Sequence, residues 1–228
     1  FKQKTAYEIP KRDWSSDVCS SDLTLVTYVD DLRQLLAALG ISSVVVIGTS
    51  MGGLLAMEMA TRMPEVLRGA VLNDIGPEID PLGLFKIVRY MRGDNEIPDW
   101  PTAVAKIQRA FPDLPARCEE DWLEIAQGAY REKDDGRLLP DWDQAVLKPL
   151  TWSAVLGLDL WKTYRSLGDR PVVAVRGGTS RVLTPTVHRR MVEALPNVAA
   201  VTVPGVGHAP SLVEPESLQA IHDLLRRV

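Results

Sequence analysis

Apolar and polar positions alternate along the chain in two distinct periods. In "TLVTYVDDLRQLLAALG", Leu25, Val29, Leu32, Leu36 and Leu39 recur at steps of four and three, one face of a helix that Gly40 stops. Residues 43–48, "SVVVIG", are β-branched without alternation, which suits a parallel strand buried on both faces. "MGGLLAMEMATRM" then reads as a helix ending before Pro64, "RGAVLN" (68–73) as a second strand, and "DIGPE" as the loop after it. The same rhythm returns late in the chain. "PVVAVRG" is a strand, "TPTVHRRMVEAL" a helix, "VAAVTVPG" a strand and "EPESLQAIHDLLRRV" a closing helix. Strands alternating with helices predict a mostly parallel sheet with right-handed crossovers and helices on both faces.

Between these two runs, residues 79–168 change character. They hold amphipathic segments broken by prolines, no clear strand, and the tryptophans at 100, 122, 142, 152 and 161. This block is expected to be a helical cap inserted between core residues 24–78 and 169–228. Residues 1–23, "FKQKTAYEIPKRDWSSDVCSSDL", are polar and aperiodic. They resemble a translated sequencing adapter in two segments, K-Q-K-T-A-Y-E-I and R-D-W-S-S-D-V-C-S-S-D-L, and are expected to be a non-native tail without a part in the fold. Trp14 and Cys19 then carry no function.

Composition removes several classes of function. A net charge of −4 gives no reason to expect nucleic acid or an anionic membrane surface as partner. No apolar run approaches the ~20 residues that span a bilayer, so no membrane partner is expected; the sequence does not set the compartment, and nothing in it contradicts a cytoplasmic location. Two cysteines and three histidines show no ligand spacing. Neither metal nor cofactor is expected, and oligomeric state is not set by the sequence.

The chemistry concentrates in "VVVIGTSMGG". Gly48-Thr49-Ser50-Met51-Gly52 matches G-x-S-x-G, follows a strand and opens a helix, the context in which that motif marks a nucleophile. The bland alternative is a glycine turn with a helix-capping serine. His208, in the glycine-rich "VPGVGHAP" after the last strand, can reach the same sheet edge and serve as base. His222 sits mid-helix and reads as surface or core packing; His188, beside Arg189 and Arg190, reads as solvated.

Taken together, "IGTSMGG", "LNDIGPEI" and "VPGVGHAPSLVEP" resemble the α/β-hydrolase family over about 205 residues, from Thr24 to the end. The resemblance implies an α/β-hydrolase fold with a cap. It also implies a serine hydrolase for a small-molecule substrate such as a carboxylic ester, lactone or thioester, with Met51 supplying an oxyanion N–H. In much of the family the triad acid lies in a loop reading R-G-x-x-S-D, but here that loop is "RGGTSRVLTP" and Arg181 holds the place. A guanidinium has only donors and cannot accept from an imidazole; a solvated loop arginine is the default. Asp74 in "DIGP" matches a branch of esterases that takes the acid from the strand after the nucleophile helix; otherwise it caps the turn before Pro77. The family's first strands and second oxyanion loop would precede Thr24 and are expected to be missing, leaving a chain that is poorly stable and weakly active or inactive, while a full-length parent would be active. Tyr90, Phe111, Tyr130 and the tryptophans would form an apolar lid or simply the cap's own core. Carbon–carbon bond hydrolases and cofactor-free haloperoxidase- or perhydrolase-like enzymes share the serine triad, and a catalytically impaired binding protein is the reading from another class.

Overall fold

The computed structural model describes residues 23–93, 96–147 and 159–228. All of the adapter-like tail except Leu23 lies outside them, as does Trp152. The chain order is α1 (Leu25–Ala38), β1 (Val44–Thr49), α2 (Met51–Arg62), β2 (Leu67–Asn73), α3 (Pro81–Met91), α4 (Trp100–Ala110), α5 (Glu119–Ala129), β3 (Tyr130–Glu132), β4 (Leu138–Pro140), α6 (Leu160–Arg165), β5 (Val172–Gly177), α7 (Pro185–Ala194), β6 (Val198–Val203) and α8 (Pro215–Leu225).

The four core strands pair parallel in the order β1-β2-β5-β6. One face of the sheet packs Leu72, Ala70, Val172 and Ala174 against Met57, Tyr164, Leu183 and Met191, from the α2, α6 and α7 side. The other packs Val71, Val173 and Val175 against Ile221 and Leu224 of α8. Because β2 and β5 have sheet neighbours on both sides and helices on both faces, their apolar runs need no alternation. The expected burial of β1 on both faces is not met: Val44–Val46 are half-buried and Ile47 is 52 % exposed. Among the described residues β1 is an edge, paired only with β2.

Local signals set the element ends. Thr24 caps α1 by accepting from Thr27 N–H, and Val29, Leu32 and Leu36 of the expected stripe pack on Met59 and Met63 of α2. Asp80, Asp99 and Thr184 cap α3, α4 and α7, each followed by proline in the first turn, where a missing N–H costs nothing. Before β5, the Arg170 guanidinium donates to the carbonyls of Pro64, Leu67, Ser166 and Leu167, tying the α6–β5 turn to the α2–β2 turn.

The segment between β2 and β5 is mostly helical and carries its own core, centred on Ile97, Ile107, Tyr130 and Leu138 with Tyr90, Trp100, Trp122 and Trp142 packed around it. One feature departs from expectation. Tyr130–Glu132 and Leu138–Pro140 form an antiparallel hairpin, extended by a bridge between Ile97 and Leu138. Its strands are three residues long, too short to show a period of two. Tyr90, Tyr130, Trp100, Trp122 and Trp142 belong to this core, where Tyr90 meets Phe111 edge-on at 5.0 Å and the Tyr90 and Tyr130 hydroxyls share a hydrogen bond of 2.8 Å, whereas Trp161 packs on the sheet core beside Tyr164.

Candidate functional site

Ser50 sits at the junction of β1 and α2 with φ 51° and ψ −115°, a conformation that L-residues rarely adopt. Such strain persists only where the surroundings impose it, at a cost of about 1–3 kcal/mol. Here the surroundings are the glycines. A Cβ on Gly48 would overlap the backbone of Gly52 and Gly53, and one on Gly53 would overlap Ile75. Strand and helix therefore meet backbone to backbone. Gly52 has open space where its own Cβ would be; its part in the motif is to lie against Gly48. Ser50 N–H donates to Asn73 O, and the Ser50 side chain makes no cap bond to α2. Met51, 39 % exposed, is the first residue of α2. Its N–H is among the four that a helix start leaves without an intrahelical acceptor.

Parallel register carries the next group to the same edge. Thr49 pairs with Asn73, so Ser50 and Asp74 each stand one residue beyond that pair. Asp74 is fully buried with φ 53°, and its N–H donates to Val175 O. Its carboxylate accepts three hydrogen bonds. Oδ1 takes the Gly177 N–H at 2.8 Å; Oδ2 takes the Ser180 hydroxyl and lies 2.7 Å from His208 Nδ1. His208 is 15 % exposed at the side chain. With the proton on Nδ1 the imidazole donates to Asp74, leaving Nε2 as the acceptor. Asn73 closes the frame: its Nδ2 donates to Thr49 Oγ1 at 3.0 Å and to Pro210 O at 2.8 Å, joining the serine strand to the histidine loop.

The remaining candidates lie elsewhere. Arg181 is exposed, and its backbone carbonyl abuts Gly83 at the start of α3, leaving no room there for a Cβ. His222 is exposed on α8. His188 corrects the expectation of a solvated residue. It is 7 % exposed, with Nε2 2.9 Å from Ala174 O, and burial pushes its imidazole below the ordinary histidine range. The arginines at 189 and 190 point outward while Val187, His188 and Met191 face the sheet. Arg176 is also buried. It donates to the carbonyls of Leu183 and Gly178, and loss of solvent lowers its pKa.

Sequence reasoning did not reach Asn73, Ser180 or Asp113. Asp113, in the loop after α4, accepts from Gly207 N–H through its carbonyl and from Thr179 Oγ1 through its carboxylate. A cavity of about 770 Å³ opens beside the histidine loop, lined by residues such as Leu114, Arg117, Ile125, Val206 and Glu214; neither Ser50 nor Asp74 lines it. The hydrogen-bonded carboxylate and imidazole form the candidate site, where a buried carboxylate orients the ring. No group of three or more potential metal ligands occurs among the described residues, and none of their helices is long and apolar enough to cross a membrane.

Known proteins share this arrangement of elements. An α/β hydrolase from Novosphingobium aromaticivorans superposes with a TM-score of 0.83 at 37 % identity, over 92 % of this chain and 74 % of that one. The 3-hydroxybutyrate-oligomer hydrolase of Cupriavidus necator is 28 % identical over 217 residues, 91 % of this chain and 73 % of the relative. The 2-(acetamidomethylene)succinate hydrolase of Mesorhizobium japonicum is 28 % identical over 208 residues, 87 % and 69 % of the two. Residues 10–220 match the model of the alpha/beta hydrolase family, and the chain belongs to that family.

Proposed function

We propose that the protein is a serine hydrolase of carboxylic esters, with Ser50 as nucleophile, His208 as base, Asp74 as the acid that orients it, and the Met51 N–H as an oxyanion donor. The observation that carries this reading is the 2.7 Å pairing of His208 Nδ1 with a fully buried carboxylate. In the reaction, His208 Nε2 takes the Ser50 hydroxyl proton as Oγ attacks the ester carbonyl carbon. The oxyanion is met by the α2 amide and by the positive end of the helix. Collapse breaks the bond to the alcohol oxygen, which leaves with the proton from the imidazolium. Water then repeats the sequence on the acyl-enzyme, releasing the acid and restoring Ser50. In this reading the described residues of the 79–168 block belong to a cap for this site.

The substrate reading follows the chemistry named for one relative. An oligomer of 3-hydroxybutyrate is a chain of carboxylic esters, so hydroxy-acid esters head the list of substrates. The second relative, also 28 % identical, is named for 2-(acetamidomethylene)succinate, an enamide and not an ester, which favours testing an enamide beside the esters. A fluorophosphonate probe followed by peptide mapping tests the core of the proposal. Label is expected on Ser50 in the wild type, and loss of label in Ser50→Ala and His208→Ala. A folded wild type that hydrolyses no ester and takes no label would overturn it.

A further inference from the structure

Two loops from distant parts of the chain converge on one residue of the inserted segment. Gly207 directly precedes His208, and Thr179 directly precedes Ser180, whose hydroxyl holds Asp74. Asp113 touches both. Its carbonyl accepts the Gly207 N–H at 2.6 Å, and its carboxylate Oδ2 accepts the Thr179 hydroxyl at 2.7 Å. The fit leaves no slack. A Cβ on Gly207 would overlap the Asp113 carboxyl group, and one on Gly177 would overlap Gly207 O. Gly207 does not have the positive φ found at Gly205, so its lack of a side chain is explained by this approach and not by its backbone. Thr179 N–H also donates to Val206 O, at 2.9 Å.

We propose that Asp113 is a positioning residue for His208, pinning the histidine loop against the loop that holds Asp74, so that docking of the inserted segment is a condition for an aligned base. The proposal rests on the hydrolase reading of His208. Asp113 itself touches neither Ser50 nor the triad side chains; it acts through the backbone on either side of them. Misplacing a reacting group by about 1 Å can cost on the order of 10²-fold in rate, and the loss belongs in kcat because the substrate contacts are untouched.

Two readouts separate this from a structural role. The first is the rate of fluorophosphonate labelling and of small-ester turnover in Asp113→Ala, Asp113→Asn, Thr179→Val, Gly207→Ala and the double variant Gly207→Ala/Asp113→Gly. The second is the downfield proton resonance of the His208 Nδ1–H bonded to Asp74, which needs no activity. Asp113→Ala is expected to lose about ten- to a hundredfold in kcat at little changed KM and to broaden or lose the resonance, while its thermal transition stays near that of the wild type. Asp113→Asn keeps an oxygen for Thr179 and should retain both rate and resonance. Gly207→Ala should be impaired, and removing the Asp113 side chain in the double variant should recover part of the loss. If Asp113→Ala does not fold, Thr179→Val and the Gly207 pair decide the matter with Asp113 in place or its overlap relieved. Wild-type rates and an intact resonance in Asp113→Ala, or in Thr179→Val where Asp113→Ala does not fold, would overturn the proposal. Labelling of His208→Ala as fast as wild type would instead overturn the hydrolase reading, and the resonance would still report whether Asp113 places the ring.

Discussion

Replacing Asp74 by asparagine tests the acid with the smallest change of shape. Oδ1 accepts from the Gly177 N–H, and Oδ2 accepts from the Ser180 hydroxyl and from His208 Nδ1. An asparagine can serve only one side. With its oxygen toward Gly177, its NH₂ faces His208 and turns Nδ1 into the acceptor, which puts the imidazole proton on Nε2, where no proton can be taken from Ser50. With its oxygen toward His208, its NH₂ meets the Gly177 N–H head-on in a fully buried site. That conflict costs about 1–3 kcal/mol of stability, so the first orientation prevails. The catalytic loss expected from a wrong tautomer is about 10⁴-fold in kcat, or about 5 kcal/mol of transition-state stabilisation. In the assay, a chromogenic ester and the fluorophosphonate probe are run on wild type, Asp74→Asn, Arg181→Asp and the double variant, with thermal unfolding as the control for folding. A drop in Tm of only a few degrees should accompany the collapse in rate. A folded Asp74→Asn within tenfold of wild type would refute the assignment. Recovery in the double variant would move the acid to the loop after β5.

Other expectations follow from the geometry. Gly48→Ala should fail to give soluble protein, since its Cβ would meet backbone atoms of α2, whereas Gly52→Ala has open space and should hold or raise Tm, in line with the ~1 kcal/mol helix preference of alanine; equal transitions for the two variants would contradict the packing described. His188 is held neutral by burial, so the unfolded chain binds a proton that the native one refuses. Stability should be full above the ordinary histidine pKa and fall as pH drops below it, by up to about 1.4 kcal/mol per pH unit until the lowered native value is reached. Urea titrations of wild type and His188→Gln between neutral and mildly acidic pH check this, and parallel curves would exclude it. Arg170→Lys replaces a fork that reaches four carbonyls by a single ammonium, and a loss of about 1–3 kcal/mol in chemical denaturation is expected.

The alternating core was legible because a β-branched run long enough to be a strand leaves a signal in neighbouring residues, and α1 announced itself through Val29, Leu32 and Leu36. The G-x-S-x-G context likewise depends on residues next to one another. What escaped is of two kinds. The strands of the hairpin from Tyr130 to Pro140 are too short to carry a period. His188 was masked by its arginine neighbours, although Val187 and Met191 on the same helix mark the buried side. Ser180 and Asp113 have no local signature at all: each is defined by a partner 106 or 66 residues away, and only the folded chain brings them together. The misjudged burial of β1 arises because an apolar run states what a strand tolerates and not how many neighbours it has.

A triad acid at the end of β2 in place of the β5 loop, as proposed, has a consequence for how such a site could be inherited. Ser50 and Asp74 each follow the end of one of two adjacent parallel strands joined by one helix, so residues 44–74 would carry the proposed nucleophile and acid as a single contiguous cassette. The base arrives 134 residues after the acid, with the whole inserted segment between them. A recombination event that exchanges the cassette keeps the two groups matched in register, whereas one that exchanges the insert alone leaves the cassette intact and changes what surrounds it. The proposed nucleophile and acid are thus written in a stretch separable from the insert, whereas the base, whose loop is held by Asp113, depends on both.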